Sequence, residues 1–228
     1  MAINHFEIPS PLEYVDLYCE RTGPGLWNEP FNATSNLMFF LVAWLVWKRA
    51  KKSGTVSRSI PLLILLTIAI GVGSILFHTL ATRWAMALDV VPILLLKLAF
   101  LWTYGRDVLH WKLRTVASIG IGLLIVSLIG LQYKHLLNGS LLYLPGALLL
   151  VGMGAVHLQR NFAEPWSLLV GSGWMLAAIV FRTSDHSLCA ISMGHGTHFL
   201  WHLSSGCVIY YTLICLIANL PRSEKKPG

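Results

Sequence analysis

Seven long apolar runs constrain the fold of this chain more than any other feature of its sequence. Each run is about as long as the helix needed to cross the ~30 Å hydrocarbon core of a bilayer. Backbone polar groups must be satisfied within lipid, so runs of this length are expected to be helical. We therefore predict an all-α polytopic membrane protein, a bundle of seven transmembrane helices. The runs cover roughly residues 32–48, 60–80, 86–104, 115–132, 140–158, 165–181 and 197–219.

Composition agrees with this fold class and divides the chain into three parts. The 228 residues are 55% hydrophobic and 12% charged, with a mean hydropathy of +0.65, which is too apolar for a soluble domain. Residues 1–31 form a polar segment with five of the ten acidic residues. We predict that this segment caps the non-cytoplasmic face, that residues 32–220 form the bundle, and that residues 221–228 are a basic cytoplasmic tail.

The distribution of Lys and Arg predicts how the chain crosses the membrane. Twelve of the seventeen basic residues lie on one side of the bundle, four lie on the other, and Lys97 lies within a run. The side with twelve holds the C-terminus, so the positive-inside rule places the C-terminus in the cytoplasm and the N-terminus opposite. Because orientation explains the net charge of +7, we expect no nucleic-acid partner.

Three histidines are predicted to lie at similar depth on the non-cytoplasmic side. His198 and His202 are one helical turn apart near the start of the last run, and His78 ends the second run. Ionisable residues inside a membrane span are read as functional by default. Three neutral imidazoles with an open fourth position describe a catalytic zinc site. Structural histidines held by hydrogen bonds remain the alternative.

Two further polar residues are predicted to reach the same cavity. Ser74 precedes His78 by one turn on the same helix face, and Asp89 begins the third run after a short connection. A carboxylate beside an activated water supplies a proton acceptor. The acidic residues of the N-terminal segment have two interpretations, namely oxygen ligands for Ca²⁺ or a solvated cap.

These residues lie in short segments that resemble the alkaline ceramidase family, which belongs to a wider group of seven-span membrane hydrolases that includes adiponectin-receptor-type proteins. The resemblance covers essentially the whole chain. The matching segments are Gly73-Ser74-Ile75-Leu76-Phe77-His78, then Asp89 and Pro92, then His198-Phe199-Leu200-Trp201-His202, with Tyr18-Cys19-Glu20 and Glu29-Pro30-Phe31-Asn32-Ala33-Thr34-Ser35-Asn36-Leu37 near the N-terminus.

The resemblance implies hydrolysis of a ceramide-like lipid amide to a sphingoid base and a fatty acid. On that basis His78, His198 and His202 hold Zn²⁺. Asp89 takes the proton of the attacking water and passes it to the leaving amine. Ser74 hydrogen-bonds the oxyanion or the zinc-bound water. The lipid is expected to reach the site sideways between helices.

The resemblance also implies a Ca²⁺ site near the zinc cavity and a disulfide. Glu20 and Glu29 match two acidic calcium ligands of the family. Two other ligand positions differ, because Leu17 replaces an Asp and Thr22 replaces an Asn, so Asp16 is expected to substitute. Cys19 and Cys189 match the family's disulfide pair, and Asp185 is expected to be structural.

Other classes and locations remain open from the sequence alone. A b-type haem protein would pair His78 with a histidine of the last span, and an intramembrane serine protease would use Ser172 of Gly171-Ser172-Gly173. A lipid-sensing receptor would keep the zinc without turnover. Compact size and short loops fit a bacterial inner membrane with a periplasmic site, and a eukaryotic internal membrane with a luminal site satisfies the same charge rule.

Overall fold

The computed structural model describes residues 10–55, 57–133 and 135–221. Most of the predicted basic tail (222–228) and Lys134 lie outside the described residues. A π-helical turn, Tyr104–Val108, extends the fourth helix, and a 3-10 segment, Leu136–Tyr143, precedes the sixth. The α-helices of the described ranges are α1 (Pro30–Ser35), α2 (Leu37–Ser53), α3 (Ser59–Leu80), α4 (Arg83–Thr103), α5 (Leu113–Gln132), α6 (Leu144–Gln159), α7 (Ser167–Ser184) and α8 (His198–Asn219).

The described helices confirm the all-α fold with seven spans. Seven helical stretches are long and apolar enough to cross a membrane, and α1 with α2 forms the first of them. Helix α2 continues to Ser53, past the predicted end of the first run near residue 48. The third run also differs, because α4 begins at Arg83, so that Asp89 lies in its second turn. The reason is a local pairing: the Val15 amide donates to the Ala81 carbonyl at 2.8 Å, and the Arg83 amide donates to the Glu13 carbonyl at 3.2 Å. The direction of crossing stays a prediction.

Close helix contacts bring the polar candidates together at one end of the bundle. Helices α3 and α4 pack so tightly at Gly73 that a Cβ atom there would lie 2.0 Å from the Leu88 carbonyl oxygen. Helix α8 is the most buried span, and it packs against α2 and α7. The end of α3, the start of α4 and the start of α8 therefore face one another.

Residues 10–29 of the N-terminal segment lie across this end of the bundle, whereas residues 1–9 of the predicted cap lie outside the described residues. A disulfide joins Cys19 to Cys189 in the connection between α7 and α8, across 170 residues of sequence. The segment thereby reaches both the α3–α4 turn and the start of α8.

Candidate metal centre

The three predicted histidines meet at this end of the bundle. His78 lies in the last turn of α3, and His198 and His202 lie in the first two turns of α8. All three are buried, and each offers a ring nitrogen within 4.8 Å of the other two. Within the part of the chain that the structure describes, this is the one group of three or more His, Cys, Asp or Glu side chains arranged in this way.

Hydrogen bonds engage Nδ1 in two of these rings. Nδ1 of His78 lies 2.5 Å from Oε2 of Glu29, a carboxylate, and therefore donates to it. Nδ1 of His202 lies 2.7 Å from Oγ of Ser35. The Ser35 hydroxyl lies 2.9 Å from the carbonyl of Asn32, so it can donate its single hydrogen there while it accepts from His202.

The Nε2 atoms of His78 and His202 lie 3.2 Å apart. When Nδ1 is protonated in both rings, both Nε2 atoms are acceptors, and a cation between them relieves the repulsion of their lone pairs. Metal-binding histidines typically donate their other N–H group to a carboxylate or another oxygen, and both rings have such an oxygen beside Nδ1. The donor set therefore fits a metal ion.

His198 completes the group with a different kind of support. Its ring stacks on Tyr18, with centroids 3.5 Å apart and an angle of 14° between the planes. Its buried Nδ1 has no hydrogen-bond partner. Burial also raises the pKa of the Tyr18 hydroxyl, which accepts a hydrogen bond from Arg182 at 2.5 Å.

Asp185 holds the start of α8 in place. Its buried Oδ1 accepts hydrogen bonds from the amides of Thr197 and His198 at 2.7 and 2.9 Å, which satisfies two free N–H groups at the helix start. Its Oδ2 accepts the Cys19 amide at 2.8 Å. Gly196 has a φ of +64°, and a Cβ atom there would lie 2.2 Å from Asp185 Oδ1. Asp185 therefore has the structural role expected from the sequence.

Ser74 and Asp89 line the same cavity as His202. The buried Ser74 hydroxyl lies beside the Asp89 carboxylate, which is partly buried. The structure therefore brings both predicted catalytic candidates to the histidine group.

Beyond these polar residues, the cavity continues among apolar side chains toward the other end of the bundle. It runs between α4, α6 and α8, where its walls carry large aliphatic and aromatic residues. These include Ile93, Leu96, Phe100, Leu149, Met153 and Ile209. A cavity with polar groups at one end and apolar walls along its length suits a lipid whose reactive bond lies at its polar end.

The predicted calcium ligands are engaged in other contacts. Both oxygens of Glu20 cap α1, accepting the amides of Phe31 and Asn32 at 2.7 and 2.8 Å. Burial raises the pKa of Glu20, partly offset by these two bonds. Asp16 is exposed. Among the described residues, Asp16, Glu20 and Glu29 do not form a second metal-binding group.

Glu29 accepts more hydrogen bonds than the other predicted calcium ligands. Its Oε1 pairs with Nε of Arg21, and its Oε2 accepts from Nδ1 of His78 and from the side-chain amide of Asn32 at 3.0 Å. Burial raises the pKa of Glu29, but the hydrogen bonds from His78, Asn32 and Arg21 outweigh burial and leave the pKa below its usual value. With its oxygens engaged in this way, Glu29 does not fit a calcium ligand in the present arrangement.

Sequence reasoning missed several residues that support the centre. Arg21, Asn32 and Ser35 contact the histidine group or its carboxylate partner Glu29. The Arg182 guanidinium lies over three rings at the site, with its carbon 5.3 Å from the Tyr18 centroid. Of Arg21, Asn32 and Ser35, only Arg21 gave a local signal in the sequence, because it lies beside acidic residues of the N-terminal segment.

Comparison with known families gives one match. A family model described as Ceramidase matches residues 25–227, nearly the whole chain. The matched range contains the three histidines, Ser74 and Asp89, and it begins after Arg21. A comparison with curated proteins found no match.

Proposed function

The chain belongs to the ceramidase family, and from that premise we propose that it is a zinc-dependent hydrolase that cleaves the amide of ceramide within the membrane, giving a sphingoid base and a fatty acid. A ceramide-hydrolysing function follows from the family, and the buried histidine group could hold a metal ion. The observation that carries the proposal is the buried group of His78, His198 and His202, whose ring nitrogens lie within 4.8 Å of one another.

Zinc is the metal that suits this donor set best. Three neutral imidazoles, with one position open, are a common ligand set of catalytic zinc. When bound, zinc lowers the pKa of a coordinated water and polarises the carbonyl of the substrate. Glu29 and Ser35 hold His78 and His202 in the tautomer that presents Nε2 to the metal.

Asp89 and Ser74 supply the proton transfer and the hydrogen bond that amide hydrolysis needs. We assign Asp89 as the group that accepts a proton from the attacking water and delivers it to the leaving nitrogen. The Ser74 hydroxyl, which lies beside the Asp89 carboxylate, donates to the amide oxygen as negative charge develops there. Hydrolysis of one amide consumes one water and gives one carboxylic acid and one amine.

The apolar cavity supports lateral access of the lipid from the bilayer. Its walls face the acyl chain, while the polar end holds the amide near the histidines. We propose that this end faces the non-cytoplasmic side, as the positive-inside rule predicts, and that the membrane is a bacterial inner membrane with the site toward the periplasm.

The proposal is tested by measuring metal content and ceramide hydrolysis on one detergent-purified sample. We expect about one zinc per chain, as for a catalytic zinc site, together with release of a sphingoid base from ceramide. Removing the metal with a chelator should stop the release, and adding zinc back should restore it. Zinc without turnover on any ceramide would refute the ceramidase assignment, and turnover by a metal-free sample would refute zinc dependence.

A further inference from the structure

A buried arginine pairs with Glu29, one of the carboxylates that the family resemblance predicts as a calcium ligand. The Arg21 side chain is buried, and all its hydrogen-bond partners are oxygens. Its Nε pairs with the Glu29 carboxylate. Its Nη2 donates to the His78 carbonyl at 2.8 Å, and its Nη1 donates to the carbonyls of Gly23 and Gly25 at 3.1 and 3.4 Å. One carboxylate and several carbonyls are also the kind of oxygen set that surrounds Ca²⁺.

We propose that the Arg21 guanidinium takes the structural place of a calcium ion, so that this chain holds its metal centre without calcium. The inference rests on the proposed function in treating His78 as a metal ligand. Arg21 fixes His78 twice, through the main-chain carbonyl and through Glu29, which accepts from Nδ1. A guanidinium presents five donors in a planar fork and stays charged at any working pH, so it is a permanent cation. Arg21 is thus a positioning residue.

Other features of the N-terminal segment also argue against a bound calcium ion. Leu17 and Thr22 stand where the family has an Asp and an Asn, and neither supplies a carboxylate or amide oxygen from its side chain. Glu20 is turned away to cap α1. The family match covers residues 25–227, so Arg21 lies outside the matched range.

The direct test is a calcium titration of the zinc-loaded wild-type protein. Thermal unfolding is followed in buffer freed of calcium on a chelating resin and again with CaCl₂ at about 2 mM, near the weakest range of protein calcium sites. We expect the midpoint to move by less than about 1 °C and elemental analysis to find no bound calcium. A saturable rise in the midpoint, or calcium bound in proportion to protein, would overturn the proposal.

A variant of Arg21 that lacks the positive charge tests the role of this residue. Arg21→Met keeps the length of the side chain and removes the charge, which leaves Glu29 buried without its cation. We expect the midpoint to fall by roughly 10 °C, from the loss of a buried ion pair in a chain of this size, and zinc to dissociate faster. Wild-type stability and zinc retention in Arg21→Met would also overturn the proposal.

The control is Arg83→Met, which removes an arginine from the same region. Arg83 pairs with Glu13 at 2.7 Å on the exposed surface, so its loss should change the midpoint by about 1 °C or less. If Arg21→Met does not fold, the calcium titration of the wild-type protein still tests the proposal. Midpoint and zinc retention are read without ceramide, so absence of hydrolysis would count against the proposed function and leave this inference standing.

A second and independent observation concerns Lys97, which lines the apolar cavity. Its side chain packs beside Gly146, where a Cβ atom would lie 3.6 Å from Lys97 Cδ, and its Nζ lies 5.8 Å from the centroid of the Tyr143 ring. Of the ion pairs between described residues, none includes Lys97. A cation inside a membrane span normally pairs with another group or marks a ligand pathway.

The geometry points to Lys97 as the binding position for a polar group on the lipid chain, which deepens the proposed function by naming a substrate class. Lys97 lies eight residues after Asp89 on α4, about 12 Å along the helix axis at 1.5 Å per residue. That length corresponds to roughly eight to ten chain carbons. The preferred substrate is a lipid amide whose acyl chain carries a hydroxyl or carboxyl group at this distance from the amide.

The test compares 10-hydroxyoctadecanoic acid with octadecanoic acid as ligands of wild type and Lys97→Met. We expect the hydroxylated acid to raise the unfolding midpoint of wild type more than the plain acid does, with about a tenfold tighter apparent Kd from one buried hydrogen bond to a charged group. Lys97→Met should lose this preference, whereas Leu95→Met, on the exposed side of α4, should keep it. Equal preference in wild type and Lys97→Met would overturn the assignment. Because binding is read without turnover, an inactive protein would count only against the proposed function.

Discussion

His202→Ala is expected to abolish zinc retention and ceramide hydrolysis together. The substitution removes one of three imidazoles and leaves His78 Nε2 without its facing partner. A three-ligand zinc site that loses one protein ligand no longer holds the metal tightly, and water activation is lost with it. Zinc per chain is measured by elemental analysis, and sphingoid base release is measured on the same sample. We expect zinc to fall to background and the rate to fall by at least about 10³-fold, the scale of a lost metal activation.

Two comparisons make this result specific. His78→Ala and His198→Ala should behave like His202→Ala, since all three side chains belong to the same buried group. His135→Ala alters an exposed histidine outside that group and should leave zinc and rate unchanged. Wild-type activity in all three buried variants would end the zinc-hydrolase interpretation.

The parts of this centre that the sequence predicted are those set by local pattern. Hydropathy over about 20 residues identifies a span, because each span must meet the same bilayer thickness. The spacing of His198 and His202 places both on one face, because the helix repeats every 3.6 residues. His78 follows from topology, since alternate crossings return chain ends to the same side of the membrane.

The parts that the sequence did not predict depend on how residues 10–35 fold over the bundle. The contacts of Glu29 with Arg21 and His78, and of Ser35 with His202, join residues that are up to 167 positions apart. A dense group of carboxylates can be neutralised by a bound cation or by an arginine, and composition does not distinguish the two. Here Glu29 pairs with an arginine and Glu20 caps a helix, whereas Glu13 and Asp16 lie exposed.

The start of α4 was also predicted incorrectly, because it depends on contacts with the N-terminal segment. Hydropathy placed the beginning of this span near residue 86, because Arg83 and Trp84 are poor signals of a membrane interior. The helix nevertheless begins at Arg83, where the backbone amides of Arg83 and Trp84 donate to the carbonyls of Glu13 and Pro11 at 3.2 and 3.1 Å. Acceptors from the N-terminal segment replace those that a helix start lacks.

Asp89→Asn is expected to keep zinc and lose turnover. The amide has nearly the shape of the carboxylate, so the cavity beside Ser74 and His202 keeps its form. It cannot accept the proton of the attacking water, and positioned acid–base catalysis contributes about 10²–10⁴-fold to rate. We therefore expect hydrolysis to fall by about that factor, with zinc per chain and the unfolding midpoint unchanged.

The control and a second variant separate this role from a structural one. Glu13→Gln makes the same chemical change at an exposed carboxylate and should leave the rate intact. Ser74→Ala should retain zinc and lower the rate by about 10²–10³-fold, the usual effect of removing one donor to a developing oxyanion. If Asp89→Asn loses zinc, Asp89 is a metal ligand rather than the proton carrier. If it keeps both zinc and the full rate, another group of the cavity moves the proton.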